Sequence, residues 1–217
     1  MAVMALGDGI DVLDTRSKLL RVLLFAGLAL VVAVLVGEIA EYSSEVPLDP
    51  SNPSLLASFY IFASLGSFAI TLLTIVIFCM WIYRAAANVV AAEVPGFDYT
   101  PGWAVGWFFI PFANLVKPFQ AIRQIWNASH GSAGDALDEG HPLLTVWWAT
   151  WLVTNIANNI SARLGMRAET LDDTRTSLIF GMAGSLVSLI LYPAALILVS
   201  RIAAAQRERL TASHIFT

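Results

Sequence analysis

Two stretches set polar side chains that could do chemistry beside long apolar runs. The first is Trp81-Ile82-Tyr83-Arg84-Ala85-Ala86-Ala87-Asn88, which sets a guanidinium and an amide four residues apart. That spacing puts Arg84 and Asn88 on one helical face. The second runs from Pro101 to Gln120 and carries Asn114, Lys117 and Gln120 around two prolines, Pro111 and Pro118, with Arg123 just beyond. Proline removes a backbone donor and clashes with the carbonyl four residues back, so this stretch is a broken helix. Non-helical backbone at membrane depth survives only where protein or water satisfies it, and such breaks often line ligand or ion sites. A basic pocket at that depth suits an anionic headgroup. The plainer alternative is structural: Arg84 as a basic anchor at a helix end, and 101–120 as a packing element that turns the chain back.

Catalytic signatures are missing from the sequence. There is no H-E-x-x-H, no G-x-S-x-G and no phosphate-binding P-loop. His130, His141 and His214 fall in loops or the tail, away from any long apolar run, which excludes an intramembrane bis-histidine haem. His130 and His141 share an acidic loop with Asp135, Asp138 and Glu139, without metal-ligand spacing. The single cysteine, Cys79, sits in an apolar run and reads as a small buried hydrophobe. The expectation is a protein that is not an enzyme, with no cofactor and no metal.

The elements that must position these residues follow from composition. Of 217 residues, 58% are apolar and 13% charged, against roughly 45–50% and about 25% in soluble domains. The mean hydropathy is +0.72. The net charge of −4 comes from 12 basic and 16 acidic residues, too balanced for a nucleic-acid partner. The apolar runs are long and continuous, so the fold class is an all-α integral membrane protein rather than a barrel.

A span needs about 20 apolar residues. Four runs qualify, giving spans at 19–41, 54–84, 142–163 and 177–200. Around them lie a cytoplasmic tail at 1–18, outer loops at 42–53 and 164–176, a cytoplasmic connection at 85–101 and a cytoplasmic tail at 201–217. The element at 102–116 is broken, re-entrant or interfacial, and 117–141 holds an amphipathic interfacial helix and a cytoplasmic loop. The acidic N-terminal flank and the length of the first run argue against a cleavable signal peptide, and the last residues carry no lipidation box.

Orientation rests on lysine and arginine. With 102–116 not crossing, Arg16, Lys18, Arg21, Arg84, Lys117, Arg123, Arg201, Arg207 and Arg209 are inside, and Arg163, Arg167 and Arg175 outside. If 102–116 crossed, the bias would nearly vanish. Both termini are therefore expected in the cytoplasm.

Tryptophans favour the headgroup level, and Trp81, Trp103, Trp107, Trp126, Trp147 and Trp148 are expected as interfacial anchors. Leu115, Phe119, Ile122 and Trp126 share one face of the 117–127 segment, with Lys117, Gln120, Gln124 and Asn127 on another, as in a helix lying in the interface plane. Glu38, near the outer end of the first span, reads as a solvated helix end. Ala63 with Ser67 and Gly181 with Ser185 are small pairs suited to close helix contact. Tyr192-Pro193 predicts a kink in the last span.

The motifs Trp81 to Asn88, Pro101-Gly102-Trp103-Ala104-Val105-Gly106-Trp107, Pro111 to Leu115 and Lys117 to Gln120 together resemble the bacterial multi-pass membrane family catalogued as domain of unknown function 4328. Trp147-Trp148 and the Arg201…Gln206 tail are also similar. The resemblance implies a multi-pass protein of the bacterial cytoplasmic membrane and brings no activity with it.

Two functions remain open. One is a scaffold, assembly factor or small subunit of a membrane complex, partnered by another membrane protein or by itself. The other is a transporter or channel that binds a small solute or anionic lipid headgroup through Arg84, Asn88, Asn114, Lys117, Gln120 and Arg123. Membrane lipids are partners in both.

Overall fold

The computed structural model describes residues 6–44 and 54–210. Most of the expected outer loop at 42–53, and the tail from residue 211 with His214, lie outside the described residues. Helices α1 (Leu6–Tyr42) and α2 (Leu55–Ala91) have 37 residues each. Short α3 (Pro101–Gly106) runs into tight turns at Trp107–Phe109 and Ala113–Leu115. Then come α4 (Lys117–Ser129), a turn at Gly134–Asp138, α5 (Pro142–Gly165) and α6 (Leu171–Ala205), which closes in a wider turn at Gln206–Leu210. Among the described residues there is no strand.

Three helices, α1, α2 and α6, are long and apolar enough to cross a membrane. At 1.5 Å per residue each reaches about 50–55 Å, against a hydrocarbon layer of about 30 Å. A large part of each must therefore find other surroundings. Helix also extends beyond three of the expected span ends. The 1–18 segment is helical from Leu6, the 85–101 connection is helical to Ala91, and the tail from 201 is helical through Ala205. α5 covers the expected span at 142–163, but its second half carries Asn155, Asn158, Asn159 and Ser161, which dilute its apolar character. α6 runs on through Pro193.

The chain forms two compact units: 1–22, 74–145 and 195–217 in one, 23–73 and 146–194 in the other. The first gathers the ends of α1, α2 and α6 with everything from α3 to the 134–138 turn. Its interior is ordinary: Leu13, Leu20, Trp81, Ile82, Ile122, Ile125, Leu198 and Ile202 are buried. Arg207 and Lys18 pair with Asp14, and Arg16 donates to the Met80 carbonyl.

The second unit is inverted. Phe25, Phe59, Phe62, Leu65, Phe68, Ile156, Leu186 and Ile190 are exposed, while Glu38, Thr154, Ser177, Ser185 and Ser188 are buried. Water would favour the reverse arrangement; an apolar solvent favours this one. Glu38, expected at a solvated helix end, accepts a 2.8 Å hydrogen bond from Ser185 Oγ. Of the small residues, Ala63 and Ser185 are buried, and Gly181 leaves room for the Glu38 carboxylate.

Candidate functional site

The broken element is built by its own residues. Thr100 caps α3, its hydroxyl accepting from the Trp103 N–H at 3.3 Å, and Pro101 fills the first turn, where no donor is needed. The helix ends at Gly106, and the tight turn at Trp107–Phe109 carries the chain to Pro111. Phe112 then takes a positive φ of 64°, a conformation that costs a non-glycine residue about 1 kcal/mol or more. The chain re-forms a turn as Asn114 N–H donates to the Ile110 carbonyl at 2.9 Å. The apolar side chains here point out of the unit: Phe112 is 85% exposed, Phe109 68%, and Trp103, Leu115 and Val116 about half.

Beside this element, in the same unit, lies a cleft of about 370 Å³. Trp103 and Trp107 form an aromatic wall, their rings 4.8 Å apart. Lys117, Gln120 and Arg123 enter it from α4, and Asp98, Tyr99 and Asp138 from the flanking turns. Arg123 and Asp138 pair at 2.5 Å. That hydrogen bond, reinforced by Gln124, holds the Asp138 carboxyl below the usual carboxylate range. Tyr99 donates to Gln120 Oε1 at 3.3 Å. Burial, and then the charges of Asp138 and Asp98, push its phenol above its ordinary value. The Arg123 Nε is buried and has no hydrogen-bond partner among the described residues. Its size, aromatic wall and few convergent polar groups are those of small-ligand sites in general.

Arg84 and Asn88 belong elsewhere in the unit. Arg84 Nε donates to Asn88 Oδ1 at 2.9 Å, and the Asn88 amide donates to Gln206 Oε1 at 2.9 Å and to the Gly9 carbonyl at 3.3 Å. Gln206 Nε2 in turn donates to the Ala85 carbonyl and Ser129 Oγ. Asn88, Ser129 and Gln206 have no exposed surface. This node ties α1, α2, α4 and the turn after α6 together. The single polar pocket expected from Arg84, Asn88, Asn114 and Gln120 is therefore two sites. Lys117, Gln120 and Arg123 line the cleft, Arg84 and Asn88 form the node, and half-buried Asn114 lines neither.

The expected helix at 117–127 is present as α4, and protein covers part of its polar side: Gln124 and Asn127 are buried. Gln124 exchanges hydrogen bonds with Asp98, and Asn127 donates to the Leu137 and Glu139 carbonyls at 2.9 Å. The segment after α4 folds back over it through Gly131 and Gly134, both at positive φ.

Most of the expected aromatic anchors are interior. Trp81 is fully buried and donates to Ser17 Oγ at 2.8 Å. Trp126 is buried between His130 and His141, with ring centroids at 4.3 and 4.7 Å. Trp147 and Trp148 are buried in the second unit. Trp103 is exposed and Trp107 half-buried. An indole at a span end is written the same way whether it faces lipid or a serine on another helix. The sequence reading also missed Asp98, Tyr99, Asp138, Gly9, Ser129 and Gln206 as site residues; only Gln206 had a signal, in the conspicuous tail motif.

The family model described as Domain of unknown function (DUF4328) matches residues 45–204, and the chain belongs to that family. No curated protein and no solved structure matches it.

Proposed function

We propose that this family member is a non-enzymatic, four-span protein of the bacterial cytoplasmic membrane whose first unit binds the phosphate-bearing headgroup of an anionic lipid. The observation that carries the reading is the cleft. Lys117 and Arg123 line it together with Trp103 and Trp107, next to a loop whose exposed side chains are phenylalanine, leucine and valine. Such a loop favours the acyl side of the interface, and a cation beside it favours phosphate.

Two features support the topology. The nine basic residues expected inside all belong to the first unit, and Arg163, Arg167 and Arg175 to the second. That division agrees with a cytoplasmic first unit and cytoplasmic termini. In α5, Asn155 and Asn159 donate to the carbonyls four residues back. Amides satisfied within their own helix are compatible with a fourth span.

The test is native mass spectrometry from nanodiscs containing anionic and zwitterionic phospholipid. The wild-type protein is expected to retain anionic lipid. Lys117→Ala removes about 1 kcal/mol of headgroup attraction, about fivefold in retention. Equal retention of both lipid classes, or no effect of Lys117→Ala and Arg123→Ala, overturns the reading.

A second reading, a scaffold or subunit of a membrane complex, is favoured by one observation: only 6% of the apolar window of α2 is buried. A second protein or a second copy at defined stoichiometry in the same spectra supports that role.

A further inference from the structure

The second unit contains a buried acid that the headgroup reading does not use. Glu38 is 6% exposed, on α1, about 20 Å along α6 from Leu171 by the level of its partner Ser185. One carboxylate oxygen, Oε2, receives the Ser185 hydroxyl at 2.8 Å. The other, Oε1, lies in a recess of α6 that exists because residue 181 is glycine. A methyl group there would overlap Oε1, and the same point is 3.1 Å from Ser161 Oγ of α5. Carboxylate and hydroxyl oxygens from three helices thus meet beside Gly181.

Among the described residues no lysine, arginine or histidine forms an ion pair with Glu38. The titratable groups around it are few. Tyr60 of α2, whose ring packs on Gly37, feels its charge. Glu41 is one turn along α1, and Arg175 of α6 donates to the Ser44 carbonyl. α5 offers only Asn158 and Ser161. A carboxylate away from water is paired, coordinated or neutralised. Here one negative charge sits among neutral oxygen donors, so a single positive charge balances it. Hard cations take oxygen ligands of this kind, but a divalent ion would leave the site with net charge.

We propose that Glu38, Ser185 and Ser161 form a binding site in the second unit for one exchangeable monovalent positive charge, a proton or a sodium ion. Gly181 lets the carboxylate come close enough to α6 to form the site. Both occupants use the same carboxylate, and the experiment separates them.

The full chain in nanodiscs is treated with dicyclohexylcarbodiimide, an apolar reagent that modifies protonated carboxyls in apolar surroundings, and the adduct is located by peptide mass mapping. In sodium-free acid buffer Glu38 is expected to be labelled. Labelling falls by about tenfold for each pH unit above its midpoint. If sodium chloride, but not choline chloride, suppresses the labelling at fixed pH, the occupant is sodium; if neither does, it is the proton. The wild-type protein alone decides the matter, because mapping identifies the residue. Ser185→Ala is expected to shift the midpoint while leaving the adduct on Glu38. An unlabelled Glu38 in sodium-free acid buffer, or equal labelling in acid and alkaline buffer with and without sodium, overturns the proposal.

Discussion

The side-chain amides of Asn88 and Gln206, 118 positions apart in the chain, meet at 2.9 Å in the interior of the first unit. Each uses its remaining groups as well: Asn88 on Arg84 of its own helix and on the Gly9 carbonyl of α1, Gln206 on Ala85 and Ser129. A buried amide left without partners costs about 1–3 kcal/mol. Gln206→Leu strands the Asn88 donor and removes the cover of Ser129. It is expected to cost about 2 kcal/mol and to lower Tm by about 4–8 °C for a chain of this size. Tryptophan fluorescence during thermal unfolding reads this directly, and an unchanged Tm would mean that the node does not hold the unit.

Gly9 makes the same point by shape. A methyl group at this position would overlap Asn88 Oδ1 and approach the Arg84 guanidinium, whereas one at Gly7 meets nothing within 4 Å. Both lie in α1, where alanine outranks glycine by about 0.5–1 kcal/mol. Gly7→Ala should therefore raise Tm slightly. Gly9→Ala should lower it, because overpacking at about 1–3 kcal/mol outweighs the helix gain. Equal shifts for the two variants would show that the close approach at Gly9 is relaxed at no cost.

These two positions also mark what the sequence could and could not disclose. The long apolar runs announced α1, α2 and α6, and Pro111 announced the break. The helices go on through Asp8–Lys18, Arg84–Ala91 and Arg201–Ala205, where charge suggests an end. They continue because Ala85, Ala86 and Val89, on one helical face with Ile82, and Ile202 pack in the first unit. Arg84 and Asn88 were visible as a pair on one face, but nothing along the chain points from them to Gly9 or Gln206. Glu38 was placed by its depth along α1 alone, and its partner Ser185 is on another helix. Lys117, Gln120 and Arg123 were legible as polar positions on one short helix. Asp138 arrives from a turn that folds back through Gly131 and Gly134, and Tyr99 from one that follows Gly96, all three glycines at positive φ.

Asp138 sets how much of Arg123 is free. Its folded carboxyl titrates below the ordinary aspartate value of about 3.9 because Arg123 donates to it. The pair's contribution is therefore complete above about pH 4 and is lost only as the pH falls through the lower folded value. Asp138 is 56% exposed on its side chain, so solvent holds that contribution under about 1 kcal/mol. Asp138→Asn should barely move Tm. It should instead raise retention of anionic lipid by releasing the Arg123 guanidinium, measured in the same nanodisc spectra. A drop in retention would mean that the ion pair is part of the headgroup site and not a competitor for it.

Phe112 tests where the broken element sits. Its ring is 85% exposed at the tip of the turn, its backbone is held at φ 64°, and Phe109, Leu115 and Val116 are exposed around it. In water such a cluster would be an unrelieved apolar patch; in the leaflet it is an anchor with Lys117 at its edge, where the ammonium can reach phosphate. On a Cys79→Ala background, Phe112→Cys in intact membranes should react slowly with a water-soluble maleimide. Asp135→Cys, exposed in a turn of the same unit, should react fast. Detergent should bring the two rates together by removing the bilayer. If Phe112→Cys reacts as fast as Asp135→Cys before detergent is added, the element stands in water and the cleft cannot meet a headgroup from the leaflet.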